Sequence, residues 1–177
     1  MSLHGQMSSD SLAIYVHIPF CTKHCAYCDF NTYTASELGG NSRSDYYQQV
    51  IKEIEFSKKV LDESGIKPRP ISTIFFGGGT PTLLDVEHLI AIYEALVGTF
   101  GILADAEVTT EANPDSVNKE YLQKLRDAGF TRVSFGMQSA VPKVLEVLER
   151  THNPENVTLN VAHAQEVGLS TSVDLIY

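Results

Sequence analysis

Strand-length apolar runs and helix-period stretches take turns along this chain, and that alternation limits its fold more than any other feature. Leu12 to Ile18 has strand length and composition and stops at Pro19. Thr32 to Ser44, with Gly39-Gly40, is polar and reads as an exposed connection. From Asp45 to Leu61, Tyr47, Val50, Ile51, Ile54 and Leu61 follow a mostly 3.6-residue repeat, with Asp45 as the expected N-cap. Ile71 to Phe76 is a second strand, and its near-continuous apolar character predicts burial on both faces. Asp85 is placed to cap a helix carrying Leu89, Ile92 and Leu96. Ala106 to Ala112 reads as a strand, and Asn113-Pro114-Asp115-Ser116 as the start of a helix that ends at Gly129. A strand from Thr131 to Phe135, a short helix from Pro142 to Glu149, and a helix from Asn153-Pro154 to Gly168 come next. Ser170 to Tyr177 is the last strand. Repeated β–α units imply parallel strands with right-handed crossovers. An open doubly wound sheet and a (β/α) barrel both satisfy this pattern. No GxGxxG follows the first strand, which weakens the dinucleotide-binding form.

The chain has 177 residues, of which 43% are hydrophobic and 20% charged, a globular rather than a disordered composition. Its formal net charge of −9 argues against a general nucleic-acid binder, which needs a basic stripe to replace counterions, though a local basic pocket remains compatible with it. No apolar stretch approaches the roughly 20 residues that span a bilayer, so no transmembrane segment is expected. Residues 1–11 lack the charged and apolar regions of a signal peptide and read as a disordered leader.

All three cysteines, Cys21, Cys25 and Cys28, lie in one C-x3-C-x2-C segment. A secreted disulfide framework would spread an even number along the chain, so the segment reads as reduced, cytoplasmic and metal-binding. Three thiolates on a short loop can hold three corners of a [4Fe–4S] cluster and leave one iron open to a ligand. The alternative is a zinc-stabilised binding domain with His24 or His17 as fourth ligand.

The cysteine spacing after the first strand of a β/α chain, with Tyr27 before the third cysteine, resembles the radical S-adenosylmethionine (SAM) superfamily. YxHIPFCxxxCxYCDF, FFGGGTP, TTEANP, SFGMQS and the terminal DLIY, spanning residues 15 to 177, resemble its oxygen-independent coproporphyrinogen III oxidase-like branch. Within that branch the oxidase carries a fourth cysteine two residues after the third, where this chain has Phe30. That departure resembles the HemW-type heme chaperones instead. The resemblance implies a partial (β/α)6 TIM-like barrel, truncated after about five strands, with residues 12–177 as the N-terminal part of the core domain.

It also implies a [4Fe–4S] cluster on Cys21, Cys25 and Cys28. The open iron of that cluster would chelate SAM, which one electron cleaves to methionine and a 5′-deoxyadenosyl radical. The implied SAM contacts are Tyr15, Tyr27, Gly78, Gly79, Thr80, Glu111, Gln138, Arg150 and Asp174, with His17 supporting Tyr15. Heme or a porphyrin would be the cargo or substrate. The implied partners are a flavodoxin- or ferredoxin-type reductant and a heme-accepting apo-protein. His88 and His163 read as surface or packing residues. The chain is expected to be a piece of a longer protein, its exposed sheet edge able to pair with a second copy.

Overall fold

The structure, a computed structural model, describes residues 11–37 and 43–177. The leader expected over residues 1–11, apart from Ser11, lies outside the described residues, as does the Gly39-Gly40 stretch. Five parallel strands alternate with helices. The elements are β1 (Leu12–Ile18), α1 (Arg43–Glu63), β2 (Ile71–Gly78), α2 (Val86–Phe100), β3 (Ile102–Ala112), α3 (Lys119–Ala128), β4 (Arg132–Gln138), α4 (Pro142–Val147), α5 (Pro154–Glu166) and β5 (Ser170–Leu175). A 3₁₀ turn over Pro81–Leu83 separates β2 from α2.

Strand order decides between the two architectures left open by the sequence. The strands pair in chain order, β1-β2-β3-β4-β5, and every pairing is parallel. A doubly wound sheet reverses direction at a switch point, whereas a barrel winds one way throughout. The sheet is therefore the wall of a partial barrel.

Strand alternation divides the sheet into two faces. Val16, Ile18, Ile74, Phe76, Val108, Val133 and Phe135 are buried with Leu89, Ile92 and Leu96 of α2 and Leu122 and Leu125 of α3. Each such residue contributes roughly 2 kcal/mol by leaving water. Phe130 closes this layer, its ring 5.2 Å from Phe76 and 5.5 Å from Tyr93. The other face, the barrel lumen, carries Tyr15, His17, Phe75, Glu111, Ser134 and Asp174. Burial of β2 on both faces, expected from its composition, does not hold. Thr73 is exposed and Phe75 half-buried, because the lumen face is open beside them.

Several element ends also differ from expectation: β3 begins at Ile102 rather than Ala106, and the last strand ends at Leu175 rather than Tyr177. Asp45 lies in the first turn of α1 rather than at its cap. The helix expected from Asn113 starts at Lys119, because Asn113 to Ser116 closes its own turn through Asp115 N–H to Asn113 Oδ1 (2.9 Å). Asp85 holds the N-cap position of α2 but makes no side-chain cap bond. The expected Asn153-Pro154 start of α5 stands, with Asn153 accepting from Glu155 N–H at 3.1 Å.

Candidate functional site

The cysteine loop leaves β1 at Pro19 and is tied at both ends. Cys21 N–H donates to Tyr33 C=O (3.0 Å) and Tyr33 N–H to Pro19 C=O (2.7 Å). Ala26 N–H reaches across to Leu148 C=O at 3.2 Å, and Lys23 pairs with Glu149 at 3.4 Å. The three free thiols are half-exposed in a cavity of about 890 Å³, its solvent mouth included. Its wall also contains Tyr27, Gly78, Gly79, Thr80, Glu111, Gln138 and Arg150. Ten of the twelve implied site residues therefore meet in one place.

Tyr15 and Asp174 are outside that wall but on the same lumen face. Tyr15 Oη donates to His17 Nδ1 (2.9 Å), since His17 Nε2–H donates to Asn31 C=O (2.8 Å) and fixes the tautomer. The Tyr15 ring lies 6.4 Å from that of Phe75, at 23°. Asp174 accepts from Ser134 Oγ at 3.1 Å. Asp174 is exposed despite its apolar neighbours Val173, Leu175 and Ile176, because β5 presents it to the open lumen.

The glycine run after β2 has a steric reason. A Cβ at Gly79 would lie 2.4 Å from Phe20 O and 3.0 Å from Cys21 Sγ. Gly78, at φ 113°, would drive a Cβ into the His17 ring at 2.7 Å. The donors of the run are already taken. Gly78 N–H donates to Glu111 Oε2 (3.2 Å), Gly79 N–H to Ile18 C=O (2.8 Å) and Thr80 N–H to Phe20 C=O (2.7 Å). With these amides taken, the run is left to meet a ligand through carbonyl oxygens and the Thr80 hydroxyl, which suits an ammonium better than a phosphate.

Arg150 brings a guanidinium to the cavity wall, which Lys23 also lines. One guanidinium nitrogen donates to Gly136 C=O and another lies 3.7 Å from Cys25 Sγ. Its buried Nε has no partner among the described residues. Arg150 reaches the cavity because Glu149 turns the chain at φ 54°; Gln138 leaves β4 at φ 64°. Left-handed backbone costs a non-glycine residue roughly 1–2 kcal/mol, and both residues line the cavity.

The local electrostatics follow from burial. Burial pushes the Cys21 thiol up, opposed by a hydrogen bond with Thr32 and, more weakly, by Arg150. It pushes the Tyr27 phenol up to about 12 against the pull of Arg150. Burial also raises Glu111; the Gly78 N–H opposes this and the Asp174 charge adds to it.

Sequence reasoning missed several neighbours. Glu37 accepts from Thr34 N–H (2.7 Å), Thr34 Oγ1 (2.7 Å) and His24 Nε2 (2.9 Å), which hold its carboxyl down to about 2. Thr32 is buried and lies 3.3 Å from His24 Nδ1. His152 is buried with no partner for either ring nitrogen among the described residues, and nothing in the structure explains it. The histidines read as packing residues fit that reading: His88 stacks 4.1 Å from Tyr47, and His163 lies 3.3 Å from Asn160 Oδ1.

The zinc alternative finds little support in this geometry. Zinc requires donors converging on one point at about 2.0–2.3 Å. No three His, Cys, Asp or Glu side chains do so among the described residues, and His17 and His24 are engaged elsewhere. A cubane cluster places each thiolate on a different iron and needs no such convergence. Three thiols, an acceptor rim and the Arg150 guanidinium in the cavity wall fit a cluster with an open iron and a zwitterionic ligand upon it.

Comparison with known proteins identifies the family of the chain. The sequence profile of the radical SAM superfamily matches residues 15–177. A heme chaperone HemW of Mycobacterium tuberculosis is 40% identical over 172 residues, covering 97% of this chain and 43% of the relative. An oxygen-independent coproporphyrinogen III oxidase of Synechocystis is 33% identical over 175 residues, covering 98% of this chain and 36% of the relative. The solved coproporphyrinogen III oxidase HemN of Escherichia coli, described as a radical SAM enzyme, superposes with a TM-score of 0.78 at 32% identity. That match covers 95% of this chain and 37% of the solved one. The chain thus spans well under half the length of the relatives it matches.

Proposed function

The chain belongs to the radical SAM superfamily, and from that premise we propose that residues 12–177 form the N-terminal part of a core domain binding a [4Fe–4S] cluster and SAM. The observation that carries this reading is the single cavity in which three thiols face a glycine rim whose Gly78 and Gly79 N–H groups are taken. Cys21, Cys25 and Cys28 would hold three irons. When bound, the cluster would supply one electron for cleaving SAM to methionine and a 5′-deoxyadenosyl radical.

The chain's own groups sort SAM end to end. Carbonyls of Gly78 and Gly79 accept from its ammonium, beside Thr80, whose C=O also accepts from Leu83 N–H at 3.0 Å. Arg150, which lines the cavity, offers its terminal guanidinium nitrogens to the carboxylate, a charge-assisted bond. Asp174 stands three strands from β2, about 14 Å along the sheet, and so meets the nucleoside end, where it accepts from the ribose hydroxyls. Glu111 and Gln138 lie between, Tyr27 flanks the adenine through its backbone, and Tyr15 closes the lumen side.

In heme metabolism, we favour delivery of heme to an apo-protein, with a flavodoxin- or ferredoxin-type reductant, over oxidation of coproporphyrinogen III. Phe30, 64% exposed at the cavity rim, stands where the oxidase resemblance calls for a cysteine. The similarity to the mycobacterial heme chaperone supports the same reading. The test is a heme titration beside a coproporphyrinogen decarboxylation assay on the full-length reconstituted protein. A shifted heme absorbance band with no vinyl product is expected. Formation of protoporphyrinogen would overturn the chaperone reading.

A further inference from the structure

The lumen face of β3, β4 and β5 carries a chain of hydrogen bonds that lies outside the cavity wall and ends on Asp174. Glu107 accepts from Thr109 Oγ1 at 2.9 Å and from an Arg132 guanidinium nitrogen at 3.2 Å. The other terminal nitrogen of Arg132 donates to Ser172 Oγ at 3.1 Å. Ser172 Oγ donates to Ser134 Oγ at 2.8 Å, and Ser134 Oγ donates to Asp174 Oδ1 at 3.1 Å.

The direction of this chain is fixed by its ends. A guanidinium has only donors and a carboxylate only acceptors. Ser172 therefore receives from Arg132 and passes its own proton to Ser134, whose proton can only go on to Asp174. Bonds aligned in this way polarise one another. Ser134 is 5% exposed and lies opposite Ser172 in the β4–β5 register, so its hydroxyl has little freedom to turn elsewhere.

We propose that this one-way chain, from Arg132 through Ser172 and Ser134, orients the Asp174 carboxylate for ribose recognition, with Ser134 as a positioning residue. The inference rests on the SAM reading above. Asp174 projects from an exposed strand, and Ser134 gives one of its oxygens a fixed donor. The carboxylate plane is then set by β4, the better-buried neighbour, and not by β5.

The test compares binding of SAM and of its analogue lacking both ribose hydroxyls to the anaerobically reconstituted protein, by equilibrium dialysis. Wild type should prefer SAM. Ser134→Ala should weaken SAM roughly five- to ten-fold and the analogue less than two-fold, since one charge-assisted bond is lost. Ser134→Thr should restore the preference, and Ser172→Ala should give a smaller loss. Ser134→Ala combined with Asp174→Asn should lose no more preference than Asp174→Asn alone, as for residues acting as a unit. Equal weakening of both ligands, or no recovery with Thr, would mean a merely structural role and overturn the proposal. A wild type that prefers SAM while Ser134→Ala keeps that preference overturns the chain alone. A wild type that binds neither ligand overturns the SAM reading and the chain with it.

Discussion

Gly79 carries more of the site than any residue of its size. Its missing side chain lets β2 approach the cysteine loop, with Phe20 O and Cys21 Sγ where a Cβ would be. Backbone on one side and a thiol on the other leave Gly79→Ala no soft neighbour. It should destabilise the protein by about 1–3 kcal/mol in urea unfolding. It should also cut iron and sulfide per chain after reconstitution by more than half, whereas alanine at Gly98, with open space around it, should do neither. Glu111 gives a pH signature. Burial raises its pKa in the folded chain, so the folded state holds a proton more tightly than the unfolded one. Stability then falls as pH rises from the unfolded value, about 4.5, through the raised folded value. Glu111→Gln should therefore raise the urea midpoint at pH 8, change it little at pH 4, and flatten the curve between. An unchanged pH dependence would show that Glu111 carries no such penalty. At this scale the sequence showed the residues whose types announce chemistry: the cysteines, the glycine run, Glu111 and Arg150. It hid Thr32, Glu37, Gly136 and Ser134, whose roles depend on partners brought close only by the fold. Gly136 illustrates the point, since nothing in SFGMQS says that a Cβ there would meet the Arg150 guanidinium at 3.2 Å.

Elements place these residues through their ends. β1, β2, β3 and β4 each deliver a piece of the cavity at or just beyond the C-terminal end, the face where parallel β/α folds collect function. The connections then aim the pieces. The left-handed Glu149 after α4 returns Arg150 to the cysteine loop, and the 3₁₀ turn after Thr80 stops β2 before α2 begins. Element types were legible because their hydrophobic periods are long and clean, with β1 at its expected bounds. Boundaries were less so where polar residues compete for backbone groups. Asn113 to Ser116 looked like a helix start, yet its Asn side chain closes a local turn. The cap of α3 is Asn118 instead, accepting from Tyr121 N–H at 2.9 Å. Asn118→Ala should cost about 1 kcal/mol in urea unfolding, and Asn113→Ala less. The reverse ranking would mean that the helix begins where the sequence pattern suggested.

The whole molecule is a one-way winding of β–α units, and this explains why the site sits where it does. Strands in chain order curl their lumen faces toward one another, so Tyr15 on β1 and Asp174 on β5 share a concave surface despite their separation in sequence. Fold class was readable from alternation, but barrel against open sheet was not, since both use the same repeat. Only strand order, or the family resemblance, separates them. No helix among the described residues is long and apolar enough to cross a membrane. Along β5, Val173 and Leu175 are exposed, and among the described residues this strand pairs with β4 alone. The central claim is that three cysteines and an acceptor rim make one site for a cluster with an open iron and SAM upon it. Its most direct test is electron paramagnetic resonance of the anaerobically reconstituted, reduced protein with and without SAM. The account expects a reduced [4Fe–4S] signal that shifts when SAM is added and disappears in Cys25→Ala. A four-iron signal indifferent to SAM, or zinc in place of iron in the same sample, would contradict it.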